Sequence, residues 1–158
     1  MKCDFLTTIL KGKVVFVGVG NSLRADDGFG PTLIEKLKDQ IKATCIDAGP
    51  SLENYAGKIV KENPDTVIIA DAAHLDLEPG KFSILTKDQI AKSGLSTHDL
   101  SANMFIEYLE SQTKAAIYML AVQPQSVNFG EEMSESVKKT MKELVRLINE
   151  TLDMRATC

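Results

Sequence analysis

The sequence predicts an α/β protein, a three-layer α/β/α arrangement around a five-stranded, mostly parallel sheet. Apolar runs suited to buried strands recur along the 158 residues, at Val14–Val19, Thr66–Ala70 and Ala115–Val122. Segments with helical spacing of apolar residues alternate with them, which implies parallel strands joined by right-handed crossovers. Lys81–Thr86 differs: apolar and polar residues alternate there, after a Pro79-Gly80 turn too short for a parallel crossover. That segment is expected to be the one antiparallel strand.

Taken in order, Val14–Val19 is the first strand. The helix after it is expected to start at Pro31, with Gly30 as its cap and Leu33, Ile34, Leu37 and Ile41 on one face. Ala43–Asp47 is a short second strand, stopped by Gly49-Pro50. Residues 52–62 form a modest helix that Pro64 closes, and Thr66–Ala70 is the third strand, ending in Asp71. Ser96-Thr97 precede a helix carrying Leu100, Met104, Phe105, Tyr108 and Leu109. Ala115–Val122 stops at Gln123-Pro124. Ser134 then caps a long helix with Val137, Met141, Leu144, Val145, Ile148 and Leu152 on its buried face. Met1–Lys13 is polar-mixed, and Asp153–Cys158 is expected to fray. The whole of 1–158 reads as a single domain.

Bulk composition excludes several function classes. Charged residues make up 25% and hydrophobic residues 44%, the profile of a folded globular protein. A net charge of −4 without a Lys/Arg cluster argues against a nucleic-acid partner. No apolar run approaches the roughly 20 residues of a membrane span, and no secretory leader is visible. The three cysteines, Cys3, Cys45 and Cys158, show no metal-binding spacing and fit a reducing compartment, so a cytoplasmic protein is expected.

The chemistry concentrates at one place. Asp26 and Asp27 follow the first strand in a glycine-flanked turn, Asp47 follows the second, Asp71 the third and Gln123 the last. If these strands are parallel, all four loops open on one sheet edge, where open α/β sheets bind ligands. His98, read as lying at the start of a returning helix, is within reach of that edge. The dipole there disfavours imidazolium and keeps the ring free to bind metal. Asp27, Asp71 and His98 make a three-ligand set for Zn²⁺ or Ni²⁺, or alternatively a general base with its orienting partners.

Ordinary roles compete with this. Asp27 is equally placed to cap a helix, Asp71 to close an Asx turn, and Asp47 more so because Gly49-Pro50 turns there unaided. Asp26 is expected to be the solvated member of its pair. His74 is expected to be exposed and to contribute no ligand. Gly18-Val19-Gly20-Asn21-Ser22-Leu23 begins like a dinucleotide fingerprint but has Leu23 in place of the third glycine. No phosphate-binding loop, H-E-x-x-H or nucleophile elbow occurs.

These residues resemble the nickel–iron hydrogenase maturation endopeptidases. The resemblance runs from Val14 to about Leu152. Its blocks are Gly20-Asn21-Ser22 through Asp26-Asp27-Gly28-Phe29-Gly30-Pro31, Ile46-Asp47-Ala48-Gly49, Ile69-Ala70-Asp71-Ala72, Ser96-Thr97-His98-Asp99, and Val122-Gln123-Pro124 followed by Gly130. It maps the family's metal-contacting triad onto Asp27, Asp71 and His98, and puts Gly20, Asn21, Thr97 and Gln123 at the substrate. Some members carry Glu at the position of Asp27; the Asp here looks like the branch serving formate-hydrogenlyase-type and archaeal hydrogenases.

The resemblance implies an endopeptidase that removes the C-terminal extension of the hydrogenase large-subunit precursor after nickel insertion. Nickel then arrives on the substrate, held by substrate cysteines. No cofactor is permanently bound, although Zn or Cd ions can take the same place. A carboxylate, Asp27 or Asp71, is the natural base for the attacking water, with metal-bound water as the alternative. A monomer is expected. Two other classes stay open: a small metallohydrolase with its own divalent ion, and a non-enzymatic nickel-binding checkpoint protein. Two histidines in all speak against the last, since nickel chaperones usually carry His- or Cys-rich tracts.

Overall fold

A computed structural model describes residues 2–93, 96–97 and 100–156, with side chains over 5–92 and 102–155. Five strands form one sheet in the order β2-β1-β3-β7-β4. Four of them, β1 (Val14–Val19), β2 (Thr44–Gly49), β3 (Thr66–Ala72) and β7 (Ala116–Val122), run parallel; β4 (Phe82–Thr86) lies antiparallel to β7. The mixed sheet with one antiparallel member is therefore as expected. The Pro79-Gly80 turn left the partner of β4 open, and the structure gives it as β7. That places β4 at the sheet's edge and leaves β3 buried between two parallel neighbours.

Alternation along each strand divides the core. Val14, Phe16, Ile68 and Ala70 face one side, together with α1 (Lys2–Ile9), α2 (Phe29–Lys38) and α6 (Glu135–Ala156). Val15, Val17, Val19, Val67 and Ile69 face the other, against Ile59 of α3 (Ala56–Lys61), Ile90 of α4 (Lys87–Ser93), and Phe105, Ile106 and Leu109 of α5 (Ala102–Gln112). Each fully buried Leu, Ile or Phe contributes about 1.5–3 kcal/mol. These two apolar layers, and not the polar edge, carry the stability.

Several boundaries differ from the sequence reading. Helix α2 starts at Phe29, two residues early, with Gly28 as its cap and a 3-10 turn over Ala25–Gly28 before it. Pro31 is thus the third helical residue, still in the first turn, where a missing N–H forfeits no intrahelical bond. Strand β3 runs through Asp71, so that residue lies in the strand and not after it. Leu100 belongs to a short hairpin, β5 (Ser96–Thr97) with β6 (Leu100–Ser101), and α5 begins only at Ala102. His98, read as lying at the start of that helix, is outside the described residues. Two helices were not anticipated, α1 and α4. Each is eight residues or fewer and has few buried side chains, Leu6 and Ile9 in α1 and Ile90 in α4. At the other end α6 stays helical to Ala156, with Arg155 bonded to the Gly12 carbonyl at 2.7 Å.

Candidate active site

The sheet order makes a crevice at the carboxyl ends of β1 and β3. The chain leaves β1 through α2 toward β2 on one side, and leaves β3 toward β7 on the other. Neighbouring strands whose connections depart in opposite directions leave a gap where ligands settle. Asp27 stands on the turn leaving β1, and Asp71 ends the row of β3 residues that faces α5.

Close backbone packing builds the Asp27 side. Gly20 has φ +143°, and a Cβ there would collide with the Asp27 carbonyl. Gly20 N–H bonds to the Gly49 carbonyl at 2.9 Å, tying the ends of β1 and β2 together. Asn21 N–H then donates to Asp27 Oδ2 at 2.9 Å, while Asn21 Oδ1 accepts from Leu23 N–H at 2.9 Å. The carboxylate of Asp27 is half-buried and held by the loop it belongs to. It caps nothing: Gly28 is the cap of α2 and makes no side-chain bond.

Asp71 is in a harsher place. It is 4% exposed, and among the described residues its Oδ1 has no hydrogen-bond partner. Burial pushes its pKa well above the usual carboxylate range, the negative charge of Asp27 pushes it further, and a bond from the Ala72 backbone opposes both. A buried carboxylate with an unpartnered oxygen costs free energy that folding alone does not recover. Such groups mark functional sites. Two carboxylates in one crevice, one with an oxygen unused, fit an incoming cation or a proton to be moved.

Asp47 and Asp26 do not share this crevice chemistry. Asp47 is exposed and accepts from Gly49 N–H at 2.9 Å, the self-contained turn anticipated for it. Asp26 corrects the sequence reading outright. It has no exposed surface, and its carboxylate accepts hydrogen bonds from Gln125, Ser126 and Ser134. Those donors come from residues about one hundred positions away, which local sequence does not reveal.

Gln123 is also buried and fully engaged. Its Oε1 accepts from Leu75 N–H at 2.6 Å and Leu77 N–H at 3.4 Å, and its Nε2 lies 3.2 Å from both His74 Nδ1 and the Pro124 carbonyl. It pins the loop after β3. His74 is exposed as expected, 4.0 Å from the Asp76 carboxylate. Thr97 lies in β5, but its side chain is outside those described, and His98 is outside the described residues altogether. Among the described residues no group of three or more His, Cys, Asp or Glu side chains is placed to hold a metal ion, and no helix is long and apolar enough to cross a membrane.

Comparisons with known proteins agree with one another. The family model described as HycI, hydrogenase maturation protease, matches residues 31–151. The hydrogenase 3 maturation protease of Escherichia coli K12 is 34% identical over 131 residues, covering 81% of this chain and 83% of that protein. The crystal structure of the nickel–iron hydrogenase maturation protease HycI from Thermococcus kodakarensis superimposes with a TM-score of 0.87 at 34% identity, over 94% of this chain and 99% of the other. The solution structure of the endopeptidase HycI from Escherichia coli gives 0.78 at 29% identity, over 88% and 90%.

Proposed function

The chain belongs to the family of hydrogenase maturation proteases, and from that premise we propose that it cuts the C-terminal extension from a nickel–iron hydrogenase large-subunit precursor once nickel is in place. The observation that carries this reading is Asp71, whose buried Oδ1 has no partner among the described residues while the negative charge of Asp27 acts on the same carboxyl group. A cation brought into that crevice relieves the repulsion between the two carboxylates and the burial cost of Asp71 at once. A precursor without nickel relieves neither. The protease is thereby selective for loaded substrate, with the metal supplied by the substrate and not by the enzyme. Hard carboxylate oxygens from Asp27 and Asp71 and the imidazole of His98 reach an ion whose thiolate ligands stay with the substrate.

In this reading Asp27, oriented by Asn21 N–H, is placed to take a proton from the attacking water. Asp71 supplies the second contact to the ion. Gly20 and Asn21 shape the loop beneath the cleaved segment, Thr97 flanks His98, and Gln123 acts through the loop from Leu75 to Leu77 that it anchors. Leu23, Leu77, Val127 and Phe129 are exposed apolar side chains on the loops at this edge, and they offer a folded precursor an area to dock.

The deciding experiment mixes the purified protein with nickel-loaded and nickel-free precursor and weighs the products by mass spectrometry. Loss of a C-terminal peptide from the loaded form alone is expected. Equal cleavage of both forms removes the nickel requirement. Stable binding of loaded precursor without cleavage establishes a checkpoint protein instead.

A further inference from the structure

Asp26 is adjacent to Asp27 in sequence, yet the two carboxylates serve different ends of the same turn. Successive residues of a 3-10 turn project about 120° apart. Asp27 reaches Asn21 N–H beneath the crevice, whereas Asp26 reaches the connection between β7 and α6. There Asp26 Oδ1 accepts from Ser134 N–H at 2.7 Å, and Oδ2 accepts from Gln125 N–H at 2.8 Å, Ser126 N–H at 3.3 Å and Ser134 Oγ at 2.8 Å. Two backbone bonds and one from the Arg24 side chain continue the attachment. Asp26 N–H bonds to the Ser126 carbonyl at 3.0 Å, Gly130 N–H to the Leu23 carbonyl at 2.9 Å, and Arg24 Nε to the Val127 carbonyl at 3.1 Å.

Ala25, between Arg24 and Asp26, has φ 49°, a left-handed conformation that a non-glycine residue adopts only when its surroundings impose it. The imposing contacts are those on either side of it. We propose that Asp26 is a positioning residue for the cleavage reaction: its buried carboxylate clamps the bent turn to the β7–α6 connection and so sets where Asp27 stands in the crevice. The proposal rests on the reading of Asp27 as a functional group. It requires a carboxylate and not merely a polar side chain. A backbone N–H donates to each oxygen of the Asp26 carboxylate, so the NH₂ of an asparagine meets an N–H whichever way it is turned.

The test compares Asp26→Asn with Ser134→Ala, which removes one donor only, and with Ile148→Val, a mild core change on α6 away from the site. Cleavage of nickel-loaded precursor is read as kcat and KM separately, and hydrogen exchange of the Asn21 amide reports whether Asp27 still accepts its bond. Asp26→Asn is expected to lower kcat about ten- to a hundredfold with KM within about twofold, the usual cost of misplacing a reacting group. Exchange at Asn21 should accelerate in parallel. Ser134→Ala should show the same pattern more weakly, and it carries the test if Asp26→Asn does not fold. Ile148→Val should lower the Tm slightly and leave kcat and Asn21 exchange unchanged.

Wild-type kcat and Asn21 protection in Asp26→Asn, or in Ser134→Ala where that variant stands in, overturns the proposal. So does a loss of kcat in Ile148→Val that scales with Tm as in Asp26→Asn. Asp27→Asn is measured alongside: full activity there defeats the catalytic reading of Asp27, while Asn21 exchange in Asp26→Asn still decides whether the clamp positions it.

Discussion

Asp27 makes Asp71 harder to ionise. Its negative charge adds to burial in holding the Asp71 pKa well above the ordinary range, so the two carboxylates oppose each other across the crevice. A group whose pKa is raised in the folded state stabilises the fold while protonated. That contribution is complete below the unfolded value near 3.9 and is lost as pH rises through the folded value.

Asp71→Asn should therefore be more stable than the wild type at neutral pH, by roughly 1–3 kcal/mol, and inactive. The stability difference should be small near pH 4 and widen as pH increases. Urea titrations of both proteins from pH 4 to pH 8 give the comparison. A difference that narrows with rising pH contradicts the environment described for Asp71.

Asp27→Asn and His98→Ala should abolish precursor cleavage while leaving the cooperative unfolding transition in place. Asp27 lies outside both apolar layers, so its substitution opens no core cavity. A single-turnover cleavage assay beside thermal melts separates lost chemistry from lost structure. Retention of more than about a tenth of wild-type kcat by Asp27→Asn is more than the removal of a general base allows.

The parallel strands, the long helix over residues 135–156 and the shared loop edge were legible because period and apolar runs report burial directly. The partner of β4 was not, because the short turn before it indicates an antiparallel strand without saying which neighbour it joins. Asp26 shows the limit most clearly. Adjacent aspartates in a turn suggest solvent, and only the return of residues 125–134 to the same spot turns one of them into a buried acceptor. The nearness of Asp27 to Asp71 was easier to read. Asp27 and Asp71 were marked by lying at strand ends, a position that topology converts into proximity. The tie of Gln123 to residues 75–77 left no local signature either.

Gly20→Ala should unfold the site turn. The added Cβ meets the Asp27 carbonyl at a φ that L-residues rarely adopt, and a loss of about 2–4 kcal/mol is expected together with loss of activity. Gly57→Ala is the matched control. Nothing lies within 4 Å of a Cβ there, and the residue is helical, so a gain of about 0.4–1 kcal/mol is expected. Chemical denaturation of the pair distinguishes close packing from a general intolerance of alanine.

Gln123→Ala should release the loop after β3 while sparing the sheet. It removes the acceptor for Leu75 N–H and Leu77 N–H, a local cost of about 1–2 kcal/mol, because water replaces part of what is lost. Amide exchange at Leu75 should rise by an order of magnitude or more, with protection in β3 and β7 unchanged, and KM for the precursor should increase. Unchanged exchange at Leu75 rules out an anchoring role.

The purified protein should hold far less than one metal ion per chain. Two carboxylates and an imidazole, without a thiolate and with one carboxylate oxygen in a buried, mutually repelling pair, make a weak site until a second set of ligands arrives with the ion. Treating the protein with a chelator, and removing the chelator before nickel-loaded precursor is added, should leave the cleavage rate within about twofold of the untreated sample, less than one RT of barrier. Elemental analysis of the same sample checks the metal content. Activity that disappears on chelation and returns only with added zinc assigns the protein its own catalytic ion. The crevice would then be filled before the substrate binds, and its unpartnered oxygen would belong to a resident metal rather than to the nickel of the precursor.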